Sequence, residues 1–223
     1  MKSKNILMVV TNQDEIDSSH PTGLWFEEFA VPYQAFRQVG FGVTVASPAG
    51  GRAPIDPRST PDAEQAEKHA EALQVLENTQ SLDSIETDDY DAVFFPGGHG
   101  AMFDMPAAAV GQVAGRFADA GKVVAALCHG PAALVTATRS DGTPVVQGHR
   151  VTGFTNEEER AVKLDQLVPF LLETRLRELG AEYIPSPMWN DHVVVDGNLI
   201  TGQNPRSSAS TAQAVIEALA SQE

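Results

Sequence analysis

Four short, largely apolar runs limit what this chain can fold into. They lie at 6–10, 42–46, 92–95 and 123–127. Each is short for a helix and lacks the polar–apolar alternation of a strand wetted on one face. Such runs suit strands buried on both faces, as in a parallel sheet covered by helices. Helical patterns separate them, at 24–38, 63–77 and 107–120. Strand alternating with helix predicts a doubly wound α/β fold. Further strands are expected at 150–154, 193–195 and 199–201. Asp196-Gly197-Asn198 reads as the hairpin turn between the last two. Asn204 and Pro205 suit the cap and first position of a final helix over 207–220.

The stretch 51–62 is rich in Pro, Gly and Arg, and 65–80 reads as a polar helix. We expect 51–80 to be an insertion over the sheet edge, within one domain spanning 1–223. A chain of 223 residues suffices for one α/β core of that kind.

Fifteen basic residues against thirty acidic ones leave a formal net charge of −15. Such a surface repels phosphate backbones and anionic lipid, so neither nucleic acid nor membrane is expected as a partner. No run approaches the roughly 18 apolar residues of a membrane span, and the N-terminal run is too short for a signal segment. Cys128 is the only cysteine, so no internal disulfide forms and a reducing, cytoplasmic setting is expected.

The fourth run ends in Leu127-Cys128-His129-Gly130-Pro131. Gly130 permits a tight turn and Pro131 is preset for a helix start. The pattern predicts a strand, a one-residue corner at Cys128 and a helix beginning near Pro131. A thiol at that corner stands at the carboxyl end of the sheet, where open α/β sheets bind ligands. The unpaired N–H groups of a helix end would favour its nucleophilic thiolate form. A lone cysteine is more often a small buried side chain, but the Cys-His-Gly-Pro context argues for a nucleophile. Adjacency leaves the His129 imidazole open between a partner of the thiol and a ring packed behind the corner. The His129 backbone N–H suits an oxyanion donor.

Pro96-Gly97-Gly98-His99-Gly100 follows the third run. Its glycines let backbone approach a ligand closely, although a plain strand-to-helix turn would look the same. Beside a nucleophile, the turn suggests a second oxyanion donor at Gly98, with Gly97 and His99 lining the substrate site. Glu27 and Glu28 open an otherwise apolar helix that Pro32 should kink. Adjacent acids cannot share a helix face, so one is expected outside and the other facing inward, where a raised pKa would let it move a proton. Either could equally be a favourable charge at a helix N-terminus. Glu157-Glu158-Glu159 reads first as a helical turn capped by Thr155 or Asn156, and otherwise as the source of a carboxylate that orients an imidazole. The six histidines show no ligand spacing, and no Walker or dinucleotide motif is present, so neither metal nor cofactor is expected.

Together these segments resemble the ThiJ/PfpI family, the parkinsonism-associated deglycase superfamily, nearly end to end. The markers are Thr22-Gly-Leu-Trp-Phe-Glu-Glu28, Ala46-Ser-Pro-Ala-Gly-Gly51, Asp91-Ala-Val-Phe-Phe-Pro-Gly-Gly-His-Gly100, Ala126-Leu-Cys-His-Gly-Pro131, Val151-Thr-Gly-Phe154 and Thr201-Gly-Gln-Asn-Pro205. Their order and spacing are most similar to the glutathione-independent glyoxalase (glyoxalase III) and stress-chaperone branch. The resemblance implies a flavodoxin-like three-layer sandwich, class I glutamine amidotransferase-like, in a homodimer. It implies Cys128 as nucleophile, His129 as its imidazole partner and Glu28, over Glu27, as the acid beside the thiol. For the third triad member it favours Glu159, with Glu158 one residue away as runner-up. Glutamine amidotransferases themselves carry Gly-x-Cys-x-Gly, whereas Ala126 precedes Cys128 by two here, and neither His149 nor His192 leads a His-x-Glu pair.

The implied activity is conversion of a methylglyoxal-type 2-oxoaldehyde to a 2-hydroxy acid such as D-lactate through a hemithioacetal. The same chemistry would serve a deglycase. A holdase chaperone or redox sensor without turnover is the rival expectation, with Trp25, Phe26 and the run 168–172 as a candidate apolar patch. A cysteine peptidase is the third.

Overall fold

Each of the four apolar runs becomes a strand of one sheet. The computed structural model describes residues 4–222. In chain order its strands are β1 (Asn5–Val9), β2 (Glu15–Asp17), β3 (His20–Pro21), β4 (Gly42–Ser47), β5 (Gln80–Ser81), β6 (Ala92–Phe95), β7 (Val123–Leu127), β8 (Arg150–Val151), β9 (Glu182–Tyr183), β10 (Val193–Asp196) and β11 (Leu199–Gly202). The helices are α1 (Phe26–Gln38), α2 (Ala63–Lys68), α3 (Ala70–Leu76), α4 (Ala101–Asp104), α5 (Ala108–Asp119), α6 (Asn156–Ala161), α7 (Leu172–Glu178) and α8 (Ser208–Ala220).

The main sheet runs β10-β11-β7-β6-β1-β4-β5. All its pairings are parallel except β10 with β11. Successive side chains of a strand face opposite sides, and the two cores follow that alternation. Leu7, Val9, Val93, Phe95, Val124 and Ala126 face a core shared with Val110, Ala114 and Phe117 of α5. Ile6, Met8, Phe94, Ala125 and Leu127 face the other, with Phe29 and Phe36 of α1 and Val215 and Leu219 of α8. Phe36 meets Phe94 edge-to-face at 5.7 Å, a geometry worth about 1 kcal/mol beyond burial. The result is a flavodoxin-like α/β sandwich of three layers.

Topology locates the site. After β1 the chain builds β4 and β5 on one side, then returns to build β6, β7 and β11 on the other. The strand order reverses beside β1, and the crevice beyond the carboxyl ends of β1 and β6 is where such sheets bind ligands.

Three local expectations are corrected. The segment after Cys128 is a five-residue 3₁₀ turn, Gly130–Leu134, rather than a full helix. The strand expected at 150–154 is only β8, which pairs with β9 outside the main sheet. Residues 63–77 form two helices broken at His69: α3 buries Ala72 and Leu76, whereas α2 buries nothing and follows the surface. The polar 51–80 segment ends in β5, which pairs with β4 at the sheet edge. α1 continues through Pro32 to Gln38. Asn204 caps the 3₁₀ turn that leads into α8, accepting from the Arg206 N–H. Among the described residues no helix is long and apolar enough to cross a membrane.

Candidate active site

Cys128 sits at φ +59°, in the left-handed region that a side-chain-bearing residue rarely occupies. Such a conformation costs about 1–3 kcal/mol and persists only where the surroundings enforce it. Here they do. The Cys128 N–H donates to the Gly202 carbonyl of β11 at 2.9 Å, and its own carbonyl accepts from Phe154 N–H at 2.8 Å. Gly130 lies so close to the Phe95 carbonyl that no Cβ fits. The corner thus presents the thiol above the sheet.

From the thiol a chain of polar contacts runs inward. Cys128 Sγ lies 3.4 Å from His129 Nδ1. His129 Nε2 meets Glu159 Oε2 at 2.8 Å. The second oxygen, Glu159 Oε1, meets His99 Nε2 at 2.8 Å. His99 Nδ1 in turn lies 3.1 Å from Arg58 Nη2. Arg58 is clamped by Asp56 through Nε–Oδ1 at 2.9 Å and Nη2–Oδ2 at 2.6 Å. His99, His129 and Glu159 are buried. Burial alone would raise the Glu159 carboxyl, but the two imidazoles, His129 foremost, hold it well below the usual carboxylate range. Burial, with the neighbouring His129, lowers His99 to about 4.

The two acids of α1 separate as their adjacency requires. Glu27 is exposed and Glu28 is fully buried. Glu28 Oε2 accepts from the Gly97 N–H at 2.8 Å. Its Oε1 finds no hydrogen-bond partner by geometry among the described residues, and the Cys128 thiol is its close neighbour. Burial pushes Glu28 up to about 8. Burial also pushes the Cys128 thiol up, and an ionised Glu28 pushes it further. A Glu28 that keeps its proton removes that second contribution. The segment that follows the thiol is a short 3₁₀ turn rather than the helix expected there, and burial opposes the thiolate form. A base stands against the thiol in His129, whose Nδ1 lies 3.4 Å from the sulfur.

Gly97 is used structurally: its N–H belongs to Glu28, so it does not face substrate as an oxyanion donor. The N–H groups of Gly98 and His129 have no acceptor among the described residues. Both residues line the cavity over Cys128, which has a volume of about 250 Å³. Its walls are largely apolar, formed by Trp25, Phe154, Val162, Trp189 and Pro205, with Arg58 and His99 at one side. Trp189 is held at φ +63° by its N–H bond to Glu158 Oε1, and its ring packs on Phe154 at 5.7 Å.

The two adjacent acids of α6 also divide. Glu158 closes a capping box with Thr155 at the start of the helix, while Glu159, one residue on, reaches His129. Thr155, not Asn156, is the cap. Spacing gave no sign of three further features: the second imidazole on Glu159, Arg58 behind it, and Trp189 on the wall. The histidines that look scattered along the chain are brought together by the fold. His99, His129 and Glu159 place ligand atoms within 4.8 Å of one another. Both Nε2 atoms already serve Glu159, so a metal there would displace the contacts that orient His129.

Comparison with known proteins places this architecture. The DJ-1/PfpI family profile matches residues 26–218. The glutathione-independent glyoxalase HSP31 of Saccharomyces cerevisiae is 31% identical, over 98% of this chain and 99% of that protein. The crystal structure of glyoxalase III from Candida albicans superposes with a TM-score of 0.89 at 30% identity, covering 96% of this chain and 97% of that one. The Rapid Encystment Protein of Francisella tularensis superposes with a TM-score of 0.91 at 35% identity, over 97% and 99% of the two chains. A match over most of its length makes this chain a member of the DJ-1/PfpI family.

Proposed function

We propose that this protein is a glutathione-independent glyoxalase that converts a methylglyoxal-type 2-oxoaldehyde and water to the 2-hydroxy acid, with Cys128 as the nucleophile. The carrying observation is the buried line from Cys128 through His129 to Glu159, with Glu28 against the thiol, under a small apolar cavity. Nearly full-length relatives named glyoxalases support the same reading.

In this mechanism the Cys128 sulfur adds to the aldehyde carbon as His129 Nδ1 takes the thiol proton. The amides of Gly98 and His129 hold the oxygen that gains charge. The resulting hemithioacetal loses the proton on its former aldehyde carbon and gains one on the neighbouring carbon, through an enediol. His129, having returned the thiol proton to the hemithioacetal oxygen, serves as base, and Glu28, protonated at neutral pH, as acid. The product is a thioester of Cys128, which water hydrolyses to the hydroxy acid, restoring the thiol. Glu159 keeps the His129 Nε2–H occupied, so that Nδ1 faces sulfur. Acid–base and oxyanion contributions are each worth roughly 10²–10³ in rate. The same chemistry would extend to glycated side chains that fit the cavity.

The holdase alternative keeps only part of its candidate patch, with Trp25, Phe170 and Leu171 half-buried. Phe26, Val168 and Leu172 are buried, and the exposed large hydrophobics among the described residues are Val39 and Val195. We also propose that the protein works in the cytoplasm, where its single thiol stays reduced, and as a homodimer, which sedimentation would test.

The decisive measurement is D-lactate formation from methylglyoxal without glutathione, wild type beside Cys128→Ser. Turnover in the wild type that falls at least about a thousandfold in the variant is expected. No turnover in a wild type whose thiol is reduced and reactive, or full turnover in the variant, would overturn the reading.

A further inference from the structure

We propose that His99 and Arg58 are positioning residues of the relay: Arg58 fixes the tautomer of His99, and His99 holds Glu159 so that its other oxygen meets His129. The inference rests on the relay assigned under the proposed function, but its structural half can be tested without any activity.

The argument is one of donors and acceptors. A guanidinium has only N–H donors and does not lose its proton in a protein. The 3.1 Å contact from Arg58 Nη2 therefore requires a lone pair on His99 Nδ1. In a neutral imidazole the proton is then on Nε2. That N–H points at Glu159 Oε1, 2.8 Å away. Glu159 thereby accepts from two imidazoles, one at each oxygen, and both of its neighbours are nearly solvent-free: side-chain exposure is 5% for His99 and 1% for His129. With the tautomer reversed, a His99 lone pair would face a carboxylate oxygen, and the carboxylate would turn away from His129.

Arg58 is itself fixed. Asp56 is fully buried, accepts two side-chain bonds from Arg58, and also takes the Thr22 hydroxyl at 3.0 Å. The 51–62 loop, which the sequence presents as peripheral, thus supplies the far end of the line. Burial keeps His99 neutral at pH 7, with its pKa at about 4. It enters as a single N–H donor and not as a second cation. Both of its ring nitrogens are engaged, so it has none to offer substrate.

The test uses the full chain labelled with ¹⁵N in its histidine rings, together with Arg58→Met, His99→Gln and His99→Leu. Ring-nitrogen NMR of the wild type at pH 7 should show His99, assigned by its loss in His99→Leu or His99→Gln, as the neutral Nε2–H form. Arg58→Met should move that signal towards a mixture of tautomers. In D-lactate assays His99→Leu should lower kcat by roughly ten- to a hundredfold, the loss of one hydrogen bond to a charged group, with KM within about twofold. His99→Gln, which keeps an N–H within reach of Glu159, should recover most of that loss. A His99 that is Nδ1–H or charged in the wild type overturns the proposal. So does an Arg58→Met spectrum with the His99 tautomer unchanged, or a folded His99→Leu with wild-type kcat. If the wild type turns over no aldehyde, the glyoxalase reading fails while the NMR still decides the tautomer lock. If His99→Leu does not fold, the wild-type, Arg58→Met and His99→Gln spectra decide it.

Discussion

Glu28 is a carboxyl held in an apolar place, and it couples activity to stability. Burial raises it to about 8, from an ordinary value of 4.5. Between those values the folded chain holds a proton that the unfolded chain has released. The resulting stabilisation is complete below about 4.5 and is lost as pH rises through about 8, at about 1.4 kcal/mol per pH unit. His99 works in the opposite sense: lowered to about 4 from 6.5, it favours the folded state as pH rises between those values. The two slopes offset one another up to about 6.5, and above that Glu28 acts alone of the pair. Glu28→Gln keeps an acceptor for the Gly97 N–H but has no proton to lose. Relative to wild type, the variant should be more stable at pH 8 than at pH 5 by about 1 kcal/mol or more, while D-lactate formation falls about a hundredfold or more. Urea denaturation at both pH values checks the first part; an unchanged stability difference would refute it. Residues differ in how far the sequence reveals them. Cys128 was legible because the apolar run stops there and Gly130-Pro131 follows. That one of two adjacent acids faces inward was legible from the helix, but that it is Glu28 came only from the family pattern. Arg58 was not legible, because its contact with His99 spans 41 positions and depends on the path of a loop.

At the scale of elements, Glu158 explains how three segments meet over the cavity. Its Oε2 accepts from the N–H and hydroxyl of Thr155. Its Oε1 accepts from the Trp189 N–H, the Gln203 amide and the Asn204 amide. One buried carboxylate therefore joins the start of α6, the Trp189 wall and the Thr201-Gly-Gln-Asn-Pro205 segment. Its neighbour Glu159 is set towards His129 by the same cap. Glu158→Ala removes the acceptor for five donors at once. The Thr155 cap on the backbone N–H of residue 158 survives, but each donor left dry costs about 1–3 kcal/mol, reduced where water enters the space. We expect a net loss of about 3–5 kcal/mol, or roughly 10 °C in melting temperature. A thermal melt within about 2 °C of wild type would contradict the account. This junction was not readable beforehand: the capping pattern was visible, but its second use depends on segments that meet only in the fold. The same limit applies to β5, β8 and β9. Two-residue strands carry no periodic signal, whereas the continuous apolar runs of β1, β6 and β7 are legible as strands buried on both faces.

For the whole molecule, charge decides what reaches the site. The fold class followed from alternating runs and helices, but the order β10-β11-β7-β6-β1-β4-β5 did not, since runs buried on both faces are interchangeable by composition. That order places the switch beside β1 and gathers Glu28, Gly98 and Cys128 at one end of the sheet. Around that end lies a chain of net charge −15. Arg58 at the cavity wall does little to change the long-range field, because Asp56 pairs with it at 2.6 Å. A neutral 2-oxoaldehyde feels no net force in such a field, whereas the 2-hydroxy acid product leaves as an anion that the field repels. Screening acts over about 10 Å at 0.1 M salt and much less at higher concentration. Raising salt from about 20 to 300 mM should therefore change kcat/KM for methylglyoxal by less than about twofold, and should strengthen inhibition by added D-lactate as the repulsion is screened. Initial rates at fixed pH across that range check both halves. A steep salt dependence for the neutral substrate would show that an encounter with fixed charge, rather than the apolar cavity and the thiol within it, limits capture.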